Sequence, residues 1–405
     1  MRRSIASLAI LLATLALAAC SKESATPSTA APADQATADA AAPATPEVVT
    51  QIPEPPVISA RSHIVMDHDS GRVLAAVDPD SRQEPASITK LMTAFGVFRA
   101  LKEGRIKTTD MVTISENAWK QEGSRMFIEV GKQVSVENLI LGMIVQSGND
   151  ATVALAEHVG GTEATFVQMM NTYAKQLGMT GSHFTNSAGM PDPEHYMTAR
   201  DIAVLSSAMI HEFPEYYRWY AQREFTWNGI TQQNRNGLLW RDPTVDGVKT
   251  GHTETAGYCL VASAKRDGMR LVSVVLGTDS MRAREEANAA LLNYGFNFYE
   301  TKRLYAAGEP LTTARVWKGA TDQVGLALKR DLYITGQRGQ MGSVKAEFDL
   351  PGRLVAPLSA DTSIGKAGIV VNGATIATHD LYPAQDVPRG GFFRRMVDTV
   401  RLWFN

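Results

Sequence analysis

The chain has 405 residues, of which 44% are hydrophobic and 20% are charged, and its formal net charge is -2. This composition excludes a coiled coil, a collagen and a wholly disordered chain, and it provides enough apolar residues for a sizeable core. A nearly neutral chain also gives no reason to expect nucleic acid as a partner.

The N-terminal residues 1–19 have the pattern of an export signal. Arg2 and Arg3 precede an apolar stretch over 8–19 that is too short to span a bilayer. The stretch ends in Leu-Ala-Ala-Cys, which resembles the lipobox of bacterial lipoproteins, and we therefore predict that Cys20 is lipidated. The alternative is ordinary signal cleavage with an incidental cysteine. Both interpretations predict an exported protein.

Residues 20–56 are rich in Ala, Pro, Thr and Ser. Such a segment cannot bury enough apolar surface to offset the entropy of ordering, so we predict a disordered tether. With Cys20 lipidated, Cys259 has no intrachain disulfide partner. Because Cys259 lies in an apolar run, we expect a buried strand residue there and not a nucleophile.

A first folded region is predicted over 57–299, with a sheet built from both ends of the segment and a helical insert between them. Alternating apolar residues predict strands and apolar residues at helical spacing predict helices. In chain order the predicted elements are a β-hairpin (63–67 and 72–77), a buried helix (87–102), a helical region (about 135–212), three strands (245–251, 256–265 and 269–277) and a helix (about 281–298).

The remaining sequence predicts two further parts. Short apolar alternations separated by turns over 300–386 favour a small all-β domain. Residues 387–405 combine apolar and aromatic residues at helical spacing with four arginines, which is typical of an amphipathic helix at a membrane surface. The alternative is a final helix packed on its own domain.

Three short motifs occur in order along the first region. They are Ser87-Ile88-Thr89-Lys90, Ser147-Gly148-Asn149 and Lys249-Thr250-Gly251. None is specific alone, and two other stretches, at 363–366 and 115–117, match the first two patterns. Context favours the first set, because Ser87 begins a buried helix whereas Ser363 lies in a turn-rich region.

Together these motifs resemble those of the serine penicillin-binding protein and β-lactamase superfamily. The longer phrases at 85–93, 146–151 and 246–253 are similar, more narrowly, to low-molecular-mass D-alanyl-D-alanine carboxypeptidases of bacterial cell walls. The resemblance runs from about residue 60 to the C-terminus. It implies an α+β catalytic domain of β-lactamase/transpeptidase type with an antiparallel sheet, then a small all-β domain and an amphipathic helix.

The first motif has a direct chemical interpretation. A serine hydroxyl is a poor nucleophile and needs a base within hydrogen-bond reach. Ser87 and Lys90 lie three residues apart on one helix face, so the amine can take the hydroxyl proton. Lys90 must be neutral for this, which burial and the nearby cation Lys249 would favour. The helix N-terminus would also place backbone N–H groups beside a developing oxyanion.

The resemblance implies roles for the other motif residues. Ser147 would relay a proton to the leaving amine, and Asn149 would hold the substrate amide. The backbone N–H of His252 would be the second oxyanion donor.

By the same resemblance, Lys249, Thr250 and Gly251 would bind substrate, with the free carboxylate of the terminal D-alanine held by Lys249, Thr250 and an arginine. Arg284 best fits that arginine, and Arg282 is the fallback.

Each of these residues also has a purely structural explanation. Ser87 could cap a helix, Lys90 and Lys249 could be solvated lysines, and Arg284 could form an ion pair on a helix surface. The side chain of His252 could point to solvent, since only its backbone is required.

The predicted function is a serine-type D,D-carboxypeptidase acting on peptidoglycan stem pentapeptides, with β-lactams as covalent inhibitors. The alternatives are a D,D-endopeptidase acting on cross-links with the same residues and, from another class, a catalytically idle wall-binding lipoprotein. A β-lactamase is disfavoured because no convincing Glu-x-x-x-Asn follows Asn149; Glu194 is followed by Met197 and Thr198 instead.

No cofactor is expected, since the histidines show no metal-ligand spacing and no glycine-rich phosphate loop precedes a helix. The predicted location is the periplasm, at a membrane, through Cys20, the C-terminal helix or both. Ser21 behind a lipid could direct the protein to the outer membrane, whereas the family's tail lies on the inner one; the inner membrane is favoured.

Overall fold

The computed structural model describes residues 52–342, 344–371 and 373–404. The predicted signal peptide, Cys20 and the tether up to residue 51 lie outside the described residues. Of the predicted tether, Ile52 already packs against an apolar cluster of the first domain, and the carbonyl of Pro53 accepts a hydrogen bond from Tyr294. Packing therefore begins a few residues before position 57.

A five-stranded antiparallel sheet is the centre of the first domain, in the order β2-β1-β9-β8-β7. The strands of this domain are β1 (Ser62–Asp67), β2 (Val73–Val77), β3 (Met111–Thr113), β4 (Gln133–Ser135), β5 (Glu224–Trp227), β6 (Ile230–Gln233), β7 (Val245–Thr253), β8 (Gly257–Arg266) and β9 (Met269–Thr278). The first and last strands of the region thus share one sheet, as predicted, and β7 lies at its edge.

Both faces of the sheet are covered. Val261 and Val274 belong to the larger apolar cluster on the side of the helical insert, whereas their chain neighbours Leu260 and Val275 belong to a second cluster on the opposite side. Successive strand residues point to opposite faces, so two buried faces require nearly continuous apolar strands. This explains the unbroken apolar run that contains Cys259.

The helices of the first domain are α1 (Lys90–Lys102), α2 (Glu116–Trp119), α3 (Val136–Leu141), α4 (Asn149–Gly160), α5 (Glu163–Gln176), α6 (Ala199–Glu212), α7 (Pro214–Tyr217), α8 (Leu238–Arg241) and α9 (Met281–Phe298). The predicted buried helix begins as a 3₁₀ turn, Ala86–Thr89, and continues as α1, which is buried along nearly all of its length.

The helical region predicted over about 135–212 is interrupted. Residues 177–198 form an irregular segment between α5 and α6. Gly178 and Gly189 adopt φ angles of 75° and 83°, which other residues rarely adopt, and two prolines lie close to Gly189. This segment passes beside the start of α1.

The second domain consists of strands, which confirms the predicted all-β domain. Its strands are β10 (Tyr299–Tyr305), β11 (Pro310–Trp317), β12 (Gln323–Ala327), β13 (Leu332–Gln337), β14 (Val344–Asp349), β15 (Leu354–Val355), β16 (Gly365–Val371) and β17 (Ala374–Pro383). A pair, β10-β13, lies next to the first domain, and a six-stranded sheet has the order β14-β16-β17-β12-β11-β15.

The chain ends in the helix α10 (Phe392–Phe404). Its polar side contacts the second domain, where buried Asp398 accepts a hydrogen bond of 2.7 Å from the backbone of Lys318. Its apolar side is open, with Phe393 and Trp403 78% and 79% exposed. Among the described residues, no helix combines the length and apolar character needed to cross a bilayer.

A buried hydrogen-bond cluster joins the two domains. The carboxylate of Asp67, at the end of β1, accepts hydrogen bonds of 2.7 Å from the backbone and hydroxyl of Ser70 and from the hydroxyl of Thr301 on β10. Thr335 on β13 lies 2.6 Å from the Ser70 hydroxyl, and its carbonyl accepts from Arg72. The hairpin β1–β2 is therefore tied directly to both strands of the β10-β13 pair.

Replacing Asp67 by alanine should lower the free energy of unfolding by about 3 kcal/mol, because three donors to a buried carboxylate lose their acceptor. The measurement is the midpoint of chemical unfolding followed by fluorescence. Asp349→Ala, at an exposed position in the second domain, is the control and should leave the midpoint unchanged. Equal midpoints for the two variants would contradict a stabilising role for the cluster.

Candidate active site

Ser87 and Lys90 meet at the start of α1. The Nζ atom of Lys90 lies 2.9 Å from the Oγ atom of Ser87 and also donates to Oδ1 of Asn149, at 2.7 Å, and to the carbonyl of Ala188, at 2.6 Å. Lys90 is 1% exposed, whereas Ser87 is half-buried and borders the cleft. Lys90 is therefore a buried amine that lies within hydrogen-bond distance of the Ser87 hydroxyl and is held by two other oxygen atoms.

The orientation of Asn149 is set by its own partners. Asn149 is the first residue of α4, and its Nδ2 group donates a 2.6 Å hydrogen bond to the carbonyl of Glu122. With the amide nitrogen bound there, Oδ1 faces Lys90. The next residue, Asp150, accepts hydrogen bonds from the backbone of Met126 and Phe127 and so anchors the loop that borders the cleft.

Ser147 and Lys249 form a second pair. Nζ of Lys249, on the edge strand β7, donates a hydrogen bond of 2.9 Å to Oγ of Ser147. Ser147 follows a π-helical turn, Gly142–Gln146, and has a left-handed backbone with φ 64° and ψ 31°. This conformation ends the helical run and directs the serine to the strand.

Burial dominates the electrostatics of both lysines. The pKa of Lys90 is lowered to about 7, first by burial and then by the neighbouring Arg235, while Asp150 opposes the shift. The pKa of Lys249 is also far below its ordinary value, because of burial first and then the cations Lys90, Arg235 and Arg284. The expected effect of burial on Lys90 is present, and Arg235 is a cation near Lys90 that the sequence did not predict.

The three motifs line one cleft of about 570 Å³ between β7 and the helical insert. Its walls include Ser87, Ser147, Thr250, His252, Arg235 and Arg284. Glycine is required at position 251, where β7 passes the turn that carries Ser87, because a Cβ atom there would lie 2.8 Å from the carbonyl oxygen of Pro85. The edge strand can thus approach the turn that carries Ser87.

Arg284 is 2% exposed, which rules out the alternative that it forms an ion pair on a helix surface. Its guanidinium donates to the carbonyls of Gly251 and Arg235, both at 3.3 Å, and it lines the cleft. Arg282, the fallback, is instead exposed and bonded to Glu286, so it does not reach the cleft. The structure therefore favours Arg284 over Arg282.

Arg235 lies between two fixed asparagines. Asn234 donates to the carbonyl of Gln222, and Asn236 donates to the carbonyl of Gly247 on β7. Together Arg235 and Arg284 make one end of the cleft cationic. The Asn-Arg-Asn run carries no pattern that separates it from an ordinary polar loop, so Arg235 could not be found from the sequence.

The remaining predicted residues have clear positions. The side chain of His252 is exposed and lies against Tyr258, with ring centroids 4.1 Å apart, and both residues border the cleft. Cys259 is buried, and burial raises the pKa of its thiol to about 11, which disfavours a thiolate nucleophile. Ser363 is exposed in the second domain, and Ser115 caps α2.

The described residues contain no group of three or more His, Cys, Asp or Glu side chains suited to holding a metal ion. The site instead combines a serine hydroxyl, a buried amine within 2.9 Å, a second serine–lysine pair and three arginines that line the cleft, Arg125, Arg235 and Arg284. Such a set can transfer an acyl group from a substrate that ends in a carboxylate, because amine and hydroxyl handle the proton and the arginines neutralise the anion.

Comparison with known families identifies both domains. Residues 49–280 match the peptidase S11 family described as D-alanyl-D-alanine carboxypeptidase, and residues 299–389 match the family described as penicillin-binding protein 5, C-terminal domain. The chain is 45% identical over 354 residues to the D-alanyl-D-alanine carboxypeptidase DacA of Haemophilus influenzae, which covers 86% of this chain and 90% of that protein. It is 41% identical over 366 residues to DacA of Escherichia coli K12, covering 88% and 91%.

Solved structures agree with these matches. The crystal structure of penicillin binding protein 5 from Haemophilus influenzae has a TM-score of 0.77 at 45% identity, covering 83% of this chain and 99% of that one. Penicillin-binding protein D2 from Listeria monocytogenes in its ampicillin-bound form has a TM-score of 0.56 at 29% identity, covering 60% of this chain and 100% of that one.

The reactivity of Ser87 should depend on pH through the protonation of Lys90. The rate of phosphonylation of Ser87 by an uncharged serine-directed phosphonate should rise with pH through a midpoint near 7, because the Lys90 pKa is about 7 and only the neutral amine can accept the hydroxyl proton. Mass spectrometry of the labelled peptide would give the rate. A flat profile between pH 5.5 and 8.5, the range to be scanned at roughly half-unit steps, would contradict this dependence.

Proposed function

The chain belongs to the D-alanyl-D-alanine carboxypeptidase family and is a serine peptidase of the penicillin-binding protein type. From this we propose that it removes the terminal D-alanine from peptidoglycan stem pentapeptides through an acyl-enzyme on Ser87. The observation that carries the proposal is the 2.9 Å contact between the Ser87 hydroxyl and a buried Lys90 amine, in a cleft with two arginines at one end.

In the acylation step, neutral Lys90 acts as the base. Its nitrogen takes the proton of the Ser87 hydroxyl as Oγ attacks the carbonyl of the penultimate D-alanine, and a tetrahedral oxyanion forms. Backbone N–H groups of Ser87 and His252 are the proposed oxyanion donors, which stabilise the charge where it develops.

The leaving amine needs a proton when the peptide bond breaks. Ser147 lies between the cleft and Lys249, which supports a relay: the Ser147 hydroxyl gives its proton to the amine, and the proton that Lys90 took from Ser87 returns to Ser147 by way of Lys249. Asn149 orients Lys90 through its Oδ1 atom, and its hold on the substrate amide stays a prediction.

The free carboxylate of the terminal D-alanine is proposed to bind at the cationic end of the cleft. Thr250, Arg284 and Arg235 line this end. Lys249, predicted from the resemblance to share this role, donates instead to Ser147, so we assign it mainly to the relay. An arginine fork suits a carboxylate because it offers two parallel donors.

Hydrolysis of the acyl-enzyme completes the cycle: water attacks the ester, and Ser87 leaves with a returned proton. Glu194 is exposed, and slow release of a penicilloyl group stays a prediction. Endopeptidase action on cross-links would use the same residues. A non-catalytic wall-binding role is disfavoured by the complete pair of serine–lysine contacts.

Membrane attachment is proposed to occur through α10 and a lipid on Cys20, with the protein in the periplasm and on the inner membrane. The polar side of α10 is held by the Asp398–Lys318 contact while the large side chains of Phe393 and Trp403 are exposed, which suits insertion into the interfacial region of a bilayer.

Fluorescent penicillin tests the nucleophile. The intact protein should be labelled covalently, and Ser87→Ala should abolish the label because the attacking oxygen is gone, whereas Ser363→Ala should label as the wild type does. Labelling is read from a denaturing gel. Ser87→Ala protein that still carries the label would disprove the assignment.

Muropeptide digestion tests the reaction. Purified protein incubated with pentapeptide and cross-linked muropeptides should convert pentapeptides to tetrapeptides by loss of D-alanine, as measured by mass spectrometry. Cleavage of cross-linked dimers without loss of D-alanine from pentapeptides would favour the endopeptidase, and no conversion of either by a penicillin-labelled protein would contradict the carboxypeptidase.

Cell fractionation tests the two anchors. Deleting residues 388–405 in a Cys20→Ala background should release the protein into the soluble periplasm, because both sources of membrane affinity are then absent. Each single change should leave a membrane-bound fraction. Retention of the double variant in the membrane fraction would show that neither segment is the anchor.

A further inference from the structure

The three contacts of Lys90 differ in what they permit. The Asn149 Oδ1 atom and the Ala188 carbonyl can only accept hydrogen bonds, whereas the Ser87 hydroxyl can donate or accept. A neutral amine has two N–H groups and one lone pair. When the two N–H groups are directed to the two carbonyl oxygens, the lone pair points at the serine hydroxyl. Correct proton transfer therefore depends on where the Ala188 carbonyl lies.

Ala188 belongs to the loop 185–190, which presses against the start of α1. A Cβ atom on Gly189 would lie 1.9 Å from the carbonyl oxygen of Ala86, so this contact is as close as backbone allows. The Asn186 side chain closes the loop by accepting from the backbone of Gly189 and Met190, at 2.7 and 2.9 Å. The loop is thus a compact unit, and the Thr93 hydroxyl on α1 holds it by donating a 2.7 Å hydrogen bond to the carbonyl of Ser187.

His195 adds a second connection, at the start of α1. Its ring is 2% exposed and bridges the backbone N–H of Thr185, 3.1 Å from Nδ1, and the hydroxyl of Thr89, 2.8 Å from Nε2. The backbone N–H can only donate, so Nδ1 accepts, and the ring proton lies on Nε2 and is donated to Thr89. Burial lowers the pKa of His195 to about 4, so the bridge keeps one protonation state at neutral pH.

We propose that His195 is a positioning residue for the reaction: through Thr89 it locks the loop 185–190 onto α1, so that the Ala188 carbonyl orients the lone pair of Lys90 toward Ser87. Thr89 precedes Lys90 directly, and Thr185 lies three residues before Ala188, so the bridge joins a residue next to the base to the segment that carries its acceptor. This inference rests on the proposed function, in which Lys90 is the base.

The test compares Thr89→Val, which removes only the hydroxyl that His195 binds, with Thr89→Ser, which retains it. We expect Thr89→Val to slow acylation by a fluorescent penicillin by about 10- to 100-fold, the range typical of small misplacements of a reacting group, with the initial non-covalent affinity little changed. Thr89→Ser should recover most of the rate. Thr172→Val, which removes an exposed threonine hydroxyl from α5, controls for the substitution itself.

The pH profile separates positioning from mere loosening of the fold. Displacing the Ala188 carbonyl removes an acceptor that stabilises the charged Lys90 amine, which lowers the pKa of Lys90. The midpoint of the rise of the acylation rate with pH should therefore move to lower pH in Thr89→Val. A variant that only folded less completely would keep the wild-type midpoint.

Each outcome is decisive. If the wild-type protein is acylated and Thr89→Val is acylated at an equal rate, the role of His195 is overturned and the proposed function stands. The same holds if Thr89→Val is slower but the midpoint of its pH profile is unmoved. Wild-type protein that is not acylated at Ser87 would overturn the proposed function, and the inference would fail with it.

Discussion

The site depends on keeping an amine in a place where its charge is costly. Lys90 is removed from water at the start of the central helix, so the neutral form is accessible near neutral pH and its lone pair is available to Ser87. An isolated buried ammonium would be destabilising. In the structure, the N–H groups of Lys90 donate hydrogen bonds to the Asn149 side-chain oxygen and to the Ala188 carbonyl. Lys249 repeats the arrangement for Ser147, and the two pairs share one cleft.

The architecture explains how two serine–lysine pairs, Ser87 with Lys90 and Ser147 with Lys249, meet in one cleft although they come from distant parts of the chain. The sheet takes strands from both ends of the first domain, so its edge strand β7 lies beside a helical insert that is covalently continuous with β2. Tight backbone approaches at Gly251 and Gly189 close the seam from both sides of the Ser87 turn. The cleft is therefore a property of the junction between two packed layers, and the second domain, tied on through Asp67, lies outside it.

The sequence predicted the parts that depend on local pattern and failed where contacts are remote. The spacing of Ser87 and Lys90, the hairpin at the N-terminal end of the sheet and the helix α9 all follow from periodicity within one element. Arg235 has no such pattern, and the Ala188 carbonyl is a backbone group, so neither carries a sequence signal. The break at 177–198 does carry local signals, Gly178, Gly189 and two prolines, but the helical periodicity on both sides of it outweighed them in the prediction of one helical region.

The most direct test of this account is a titration of the Lys90 amine itself in the free protein, by nuclear magnetic resonance of isotope-labelled lysine side-chain nitrogens with Lys90→Arg to assign the signal. The account predicts that this nitrogen changes protonation near pH 7, far below the exposed lysines of the same molecule. A Lys90 signal that titrates together with the exposed lysines would contradict it, because the amine would then be charged in the working protein and unable to take the proton of Ser87.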